Sequence, residues 1–203
     1  MFNLIVQFLV AVIVSTVLMS FIEHGVHRFL MHRKSWLCRF PVIKRVFDHH
    51  AILHHGQYHK EFRDEPVPRG TERGLKLSVR EGFFEALPVA ALISIFSWPC
   101  AVTFVAVVCL HHKLWNLIHL EMHKPEQRFF AEYPIFKYLA RHHCLHHMHG
   151  NTNYNVVLPL ADYVLGKVRK PTRSDLRALH DMGLGNRKPT ASEARQPVAS
   201  GRR

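Results

Sequence analysis

The chain has 203 residues, of which 48% are apolar, and it carries a formal net charge of +12. That length predicts a single domain with at most a tail, and the four scattered cysteines exclude a Cys-x-x-Cys zinc site and a disulfide framework. The apolar residues are grouped into blocks with the charged residues between them, whereas a soluble basic protein spreads its charges along the chain. The composition therefore indicates a membrane protein.

The first apolar block, residues 1–22, contains no charged side chain. About 20 such residues span the hydrocarbon core of a bilayer. A signal peptide has a basic start and a small-residue cleavage site, and this block has neither, so it predicts a retained transmembrane helix. Lys and Arg occur only after the block, and the positive-inside rule then places the following segment in the cytoplasm; these residues are Arg28, Arg33, Lys34, Arg39, Lys44 and Arg45.

The second apolar block, residues 82–110, is interrupted by Pro88 and Pro99. A single crossing would place the histidines before and after it on opposite sides of the membrane. A hairpin that turns near Ser97–Pro99 keeps them on one side. We therefore expect a hairpin, with residues 101–123 as one helix that begins after Pro99, where the missing N–H is harmless.

Histidine is the most informative residue type, because seventeen of the 18 histidines fall into four tight clusters. Neutral imidazole is the commonest metal ligand in proteins, and this number of imidazoles is enough for two metal ions. Neither His-Glu-x-x-His nor Glu-x-x-His occurs, which argues against a zincin protease and against a carboxylate di-iron bundle. The clusters thus predict a dimetal centre dominated by histidine.

The spacing within the clusters predicts which histidines share a metal. His27 and His32 lie about 140° apart on a regular α-helix, so either the helix ends or bulges between them, or they bind different metals. His119 and His123 lie four residues apart and share one helical face. The adjacent His146 and His147 point in different directions, so they can reach two metals from one backbone segment.

We predict eleven metal ligands: His27, His32, His50, His54, His55, His59, His119, His123, His143, His146 and His147. Four further histidines are expected to orient these ligands by hydrogen bonds rather than to bind metal: His24, His112, His142 and His149. His49 and His111 are assigned to the same environment or to the membrane boundary.

The last segment, residues 169–203, is basic and rich in Pro, Gly, Ser and Arg, and it predicts a disordered tail that can lie against anionic lipid head groups. It carries no recognition motif with interleaved aromatic residues, so no nucleic-acid partner is indicated. The domain proper is expected to cover residues 1–168.

These motifs together resemble the fatty acid hydroxylase/sterol desaturase superfamily of integral membrane di-iron oxygenases, over roughly residues 21–168. The resemblance is carried by His27-Arg-Phe-Leu-Met-His32, His119-Leu-Glu-Met-His123, His143-Cys-Leu-His146-His147 and the following Asn153-Tyr154-Asn155 and Leu165-Gly166. It implies two iron ions, dioxygen as co-substrate, a lipid substrate (fatty acyl, sterol-like or carotenoid-like) and an external redox donor such as a ferredoxin or cytochrome. Zinc can replace iron on the same nitrogens in purified protein.

The chain departs from the family pattern in its second box. The family usually has His-x2-His-His there, whereas this chain has His50-x3-His54-His55 followed by His59, so the ligands of this box are not aligned uniquely. The chain is also short, and a homodimer could cover the exposed face of the bundle. The fold expected is all-α: an integral membrane bundle of one N-terminal span plus a helical hairpin, with a cytoplasmic histidine-rich dimetal cap.

Three other functions are compatible with parts of the pattern. A lipid desaturase would use the same centre, and box spacing does not separate desaturation from hydroxylation. A histidine-rich metal-binding or transport protein is the rival from another class, although the spans hold few of the ionisable residues that transport needs. Haem held between helices by histidine pairs is the third. For the leading hypothesis, a substrate chain would enter between the first span and the hairpin, with candidate wall residues Phe83, Phe84, Phe104 and Trp115.

Overall fold

The computed structural model describes residues 2–58, 62–64 and 76–185, and these residues form helices, turns and loops without a strand. The prediction of an all-α fold is confirmed. The chain divides into a unit of residues 1–169 and a second unit of residues 170–203. The helices are α1 Phe2–Gly25, α2 Pro41–Phe47, α3 His55–Tyr58, α4 Val79–Ser94, α5 Trp98–His123, α6 Pro134–His149, α7 Leu160–Val164 and α8 Arg173–Asp181.

Two π-helical turns, Val26–Met31 and Asp48–His54, interrupt the α-helical segments, and a 3₁₀ turn covers Trp36–Arg39. The first π-helical turn directly continues α1. The second joins α2 to α3. Both carry histidines, and their effect on the site is described below.

Helix α1 buries one narrow stripe and exposes the rest of its apolar surface. Ala11, Ser15, Met19 and Glu23 are buried at a spacing of four residues, which places them on one face. Only 17% of the most apolar stretch of this helix is buried, although its apolar side chains are large. A helix in the core of a soluble protein buries most of such residues, so the exposed apolar surface of α1 differs from that of a soluble core helix.

Helices α4 and α5 form the hairpin that the second apolar block predicts. The chain reverses over Ile95–Ser97, where the Ser97 backbone N–H donates to the Ile93 carbonyl at 2.9 Å, and Pro99 stands in the first turn of α5. Gly82, Ala86 and Ala90 form a buried stripe of small residues on α4. Small residues at this spacing allow two helix backbones to approach closely.

The core of the hairpin lies between α1, α4 and α5. It contains Met19 from α1, the two alanines of the small-residue stripe, and Phe104 and Val108 from α5. Phe104 is therefore a packing residue rather than the wall of a substrate channel.

The helical segment Leu4–Met31 and α5 are each long and apolar enough to cross a membrane. Helix α4 has 16 residues, which corresponds to a length of about 24 Å at about 1.5 Å per residue. That is shorter than the hydrocarbon core of about 30 Å. The hairpin thus has one arm of full membrane length and one shorter arm.

The second unit contains a helix that the composition did not predict. Thr172 and Asp175 form a capping box at the start of α8, in which each side chain accepts a hydrogen bond from the backbone N–H of the other residue. This Thr-x-x-Asp pattern is a local helix signal that the basic composition of the segment conceals. Residues 186–203 of the expected tail lie outside the described residues.

The contact between Gly82 and His112 gives a test of the hairpin. A Cβ atom added to Gly82 would lie 2.7 Å from the His112 ring, which is hydrogen-bonded to the Val108 carbonyl. We expect Gly82→Ala to destabilise the protein by about 1–3 kcal/mol through overpacking. Thermal unfolding in detergent measures the loss, and His112→Ala in the same chain should remove most of it. A Gly82→Ala variant as stable as wild type would contradict this packing.

Candidate metal centre

Ten histidines converge into two groups that can each hold a metal ion. Group A consists of His27, His32, His50, His55 and His146, and group B of His54, His119, His123, His143 and His147. Within each group, one ring nitrogen from every residue lies within 4.8 Å of the others. All ten residues belong to the eleven predicted ligands, and the remaining one, His59, lies outside the described residues.

The first π-helical turn explains how His27 and His32 reach the same group. The His32 backbone N–H donates to the His27 carbonyl at 3.1 Å, so residues five apart stand one above the other. Their ring centroids are 5.1 Å apart. Of the alternatives that the sequence leaves open, the structure therefore has the bulged helix rather than ligands for two different metals.

The second π-helical turn brings His50 and His55 together in the same way. The His55 backbone N–H bonds to the His50 carbonyl, and the two ring centroids are 4.9 Å apart, both in group A. The intervening His54 points into group B instead. The His50-x3-His54-His55 box thus serves both groups, and the π-helical turn accommodates its spacing.

Helices α5 and α6 complete the two groups. His119 and His123 share one face of α5 and both lie in group B, as a spacing of four residues predicts. On α6 the adjacent His146 and His147 divide between group A and group B. The groups adjoin, because the rings of His55 in group A and His147 in group B stack at 4.1 Å.

The separations between ring nitrogens match those of ligands around one metal ion. In group A the Nε2 atoms of His27 and His50 are 2.8 Å apart, and that of His146 lies 2.9 Å from His32. In group B the Nε2 atom of His143 lies 3.2 Å from that of His123 and 3.1 Å from that of His147. Two nitrogens at a metal–nitrogen distance of about 2.0–2.1 Å and a right angle are separated by about 2.9 Å.

Backbone carbonyls set the proton position on three of these rings. The Nδ1–H groups of His27, His123 and His146 donate to the carbonyls of Tyr154, Phe62 and Thr152. A neutral imidazole has one N–H, so the Nε2 atom of each of these rings carries a lone pair toward its group. Converging lone pairs repel one another unless a cation lies between them, and a carbonyl behind the ring is the usual arrangement of a metal-bound histidine.

Burial favours the neutral form of six of the ten histidines. Loss of solvation lowers the pKa of His32 to about 4 and lowers the pKa values of His50, His54, His143, His146 and His147 well below the usual value. Repulsion between neighbouring imidazolium charges lowers the pKa further in all of these except His32. At neutral pH these six rings therefore offer lone pairs rather than positive charges. The donor set fits a metal ion bound by imidazole, such as iron or zinc.

Asp162 on α7 connects two of the four histidines that the sequence placed around the ligands. Its carboxylate accepts from His24 Nδ1 at 2.8 Å, from His142 Nε2 at 2.9 Å and from the Asn155 backbone N–H at 2.7 Å. Burial alone would raise the pKa of Asp162, but the hydrogen bonds from His142 and Asn155 outweigh it and lower the pKa.

The loop after α6 is held onto α1 by a second carboxylate, Glu23. One oxygen of Glu23 accepts from the Val156 backbone N–H at 2.7 Å, and the other accepts from Asn155 Nδ2 at 3.2 Å. The same loop supplies the Tyr154 and Thr152 carbonyls behind two ligands of group A. Glu23 and Asp162 therefore position group A, and neither is identified by histidine spacing. The Asn153-Tyr154-Asn155 motif was the signal that marked this loop.

The other histidines in the described part of the chain lie outside both groups. His49 is exposed, His112 packs against Gly82, and His111 lies 3.4 Å from Glu23. His149, at the end of α6, is half-buried and belongs to neither group.

A cavity of about 350 Å³ adjoins the centre. His27 of group A lines it, and so does Trp115, whose ring stacks at 4.1 Å on His119 of group B. Among the four wall residues suggested by the sequence, Trp115 alone lines this cavity; Phe83 and Phe84 are exposed and Phe104 is packed in the hairpin core.

Comparison with protein-family models, with curated proteins and with solved structures finds no match for this chain.

Proposed function

We propose that this protein is a membrane-bound oxygenase that uses two histidine-held iron ions and dioxygen to hydroxylate a C–H bond of a lipid. The observation that carries the proposal is the pair of adjoining groups of five imidazoles, eight of the ten buried, next to a cavity lined by His27 of group A and by Trp115, which stacks on His119 of group B. The resemblance of the histidine boxes to fatty acid hydroxylases and sterol desaturases supports the same reaction class.

The membrane placement follows from the exposed apolar surfaces. Leu4–Met31 and α5 both end at the histidine groups, so a bilayer around their apolar parts would leave the metal centre at one membrane face. The Lys and Arg residues after the first span favour a cytoplasmic position of that face by the positive-inside rule. An external donor such as a ferredoxin or cytochrome would then deliver electrons from the cytoplasm.

The donor set suits redox chemistry better than a structural zinc site. A structural zinc ion is closed by four ligands, often thiolates, whereas each group offers five neutral nitrogens. Iron bound there would supply dioxygen activation and electron transfer, because the metal carries the difficult chemistry of such enzymes. The protein holds the ligands in place, since three of the rings donate to backbone carbonyls and five of the other seven are buried.

The reaction balances with an external reductant. A C–H bond of the lipid is replaced by C–OH, one oxygen atom of O₂ enters the product and the other leaves as water, which consumes two electrons and two protons. The chain supplies the apolar wall that orients the lipid and excludes water, with Val26, Leu30 and Met31 next to His27. Excluding water protects reactive species from side reactions.

Product formation tests the proposal. We expect the purified protein in liposomes, supplied with iron(II), a reduced ferredoxin and ¹⁸O₂, to add one labelled oxygen to a lipid, as detected by mass spectrometry. His146→Ala in group A and His119→Ala in group B should each lower the rate at least about 100-fold, in the range of losses after removal of a key catalytic group. His49→Ala, an exposed histidine outside both groups, is the matched control.

Three outcomes would contradict hydroxylation. An unsaturated product without labelled oxygen would identify a desaturase. Unchanged activity in both ligand variants would remove the two groups from the reaction. Metal uptake into the liposomes with no oxidised lipid would identify a transporter.

A further inference from the structure

The cavity beside the metal groups has an acidic end, although the protein as a whole is strongly basic: Glu23 lies 3.4 Å from His111, and Glu81 and Glu85 flank Gly82, which packs against the neighbouring His112. Glu23, Glu81 and Glu85 line it, and no Lys or Arg stands among its lining residues in the described part of the chain. The three carboxylates come from two helices, α1 and α4. Because the chain carries a net charge of +12, a cavity lined by a random sample of its charged residues would be basic.

The remaining lining is mostly apolar. Met19, Ile22 and Val26 come from the α1 side, and Ile43 and Val46 come from α2. Its volume of about 350 Å³ is at the lower end of the range of about 300–1,000 Å³ for small-molecule pockets. An apolar wall with polar groups gathered at one side matches an amphiphile rather than a fully apolar hydrocarbon.

His111 provides an independent sign of a ligand. Its ring is more than nine-tenths buried, lines the cavity, and leaves Nε2 without a hydrogen-bond partner among the described residues. The nearest carboxylate oxygen, on Glu23, lies 3.4 Å away and is already bonded to Asn155. A buried polar atom of this kind destabilises the protein unless a partner reaches it.

Helix geometry places the acidic end close to the metals. Glu23 precedes His27 by one turn of α1, and His111 precedes His119 by two turns of α5, which are about 6 and 12 Å along the helix axes. A head group at this end therefore leaves the adjoining carbons within reach of the histidine groups.

We infer that the cavity binds a single-chain lipid whose head group donates hydrogen bonds and carries no negative charge, best an ammonium group and less well a hydroxyl. Carboxylates of Glu81 and Glu85 accept from such a head group, and they repel the carboxylate of a free fatty acid. This inference rests on the proposed function for the identity of the cavity as the substrate site.

Binding of three amphiphiles with the same chain tests the inference: dodecylamine, dodecan-1-ol and dodecanoate. The full-length protein carries Trp36→Phe and Trp98→Phe, which replace two exposed indoles and leave Trp115, in the cavity wall, as the fluorescent reporter. The protein is held in phosphatidylcholine nanodiscs, and the emission of Trp115 is followed during titration. We expect the amine to bind at least about fivefold more tightly than the carboxylate.

Two variants and one control test whether the preference for the amine arises from the carboxylates in the cavity. Glu81→Gln with Glu85→Gln should reduce the preference for the amine to less than about twofold. Glu132→Gln with Asp181→Asn makes the same change in net charge on exposed carboxylates outside the cavity, and it should leave the preference intact. Val46→Phe, which fills the cavity from α2 without a change in charge, should weaken the binding of all three probes.

Binding of dodecanoate as tight as that of dodecylamine, or tighter, overturns the inference. The inference also fails if the Glu81/Glu85 variant keeps the preference for the amine. It fails likewise if Val46→Phe leaves the binding of the probes unaltered. These results are separate from turnover. Selective amine binding without any lipid oxidation would refute the proposed oxygenase while the ligand assignment stands. Oxidation of a lipid acid together with unselective binding would refute the ligand assignment while the proposed oxygenase stands.

Discussion

Replacing His119 and His123 together by alanine is expected to lower the metal content of the purified protein from two ions per chain to one. Both rings belong to group B, which would keep three of its five nitrogens, whereas group A keeps its full set of ligands. The reciprocal variant, His27→Ala with His32→Ala, should lose the other ion. Inductively coupled plasma mass spectrometry after iron reconstitution gives the ratio, and lipid oxidation should be abolished in both variants because the reaction uses both groups.

The matched control for these variants is His49→Ala with His112→Ala, which removes two histidines that lie outside both groups. This control should retain two ions per chain. Retention of two ions by the His119/His123 variant would contradict the assignment of group B, and the same result for the His27/His32 variant would contradict group A.

Substituting Asp162 by asparagine is expected to have the largest effect among residues that contact no metal. Asparagine keeps one acceptor oxygen, but its NH₂ group would face an N–H from His142 or from the Asn155 backbone. Breaking a buried charge-assisted network costs about 3–5 kcal/mol. The loop that supplies two carbonyls to group A would loosen, so we expect a lower melting temperature and loss of the group A ion, with the group B ion retained.

The pH dependence of wild-type stability should reflect the same residue. The pKa of Asp162 is lower in the folded protein than in the unfolded chain, so its stabilising contribution is present at neutral pH and is lost as pH falls through the acidic range of the carboxyl group. Thermal unfolding of Asp162→Asn and wild type should therefore differ most near pH 7 and converge at low pH. Asp181→Asn, at an exposed carboxylate, is the control. A difference that does not depend on pH would contradict this role.

Much of the metal centre was predictable from spacing, because histidine positions on helices obey simple geometry. The pair His119 and His123 shares a face, and the adjacent His146 and His147 diverge, as the helical repeat requires. The spacing of His27 and His32 left two alternatives open. Only the structure shows the π-helical turn, whose i→i+5 hydrogen bond depends on local packing that no residue pattern specifies.

The two carboxylates that position the ligands, Asp162 and Glu23, were harder to predict from the sequence for a physical reason. Asp162 and Glu23 reach the centre through contacts between α7, α1 and the loop after α6, more than 130 residues apart along the chain. No periodicity connects such positions. The hairpin, in contrast, followed from the expectation that the histidines before and after the second apolar block lie on one side of the membrane, and from Pro99, which stands at the start of α5. The helix α8 was missed because the overall composition outweighed one local capping pattern.

We propose that one chain holds two metal ions in two groups of imidazoles. The most direct test of this proposal is metal analysis of the full-length wild-type protein after iron reconstitution, combined with X-ray absorption at the iron edge. The account predicts two iron ions per chain, each surrounded mainly by nitrogen at about 2.0–2.2 Å. A ratio of one or zero, or an iron environment dominated by thiolate or carboxylate ligands, would contradict it.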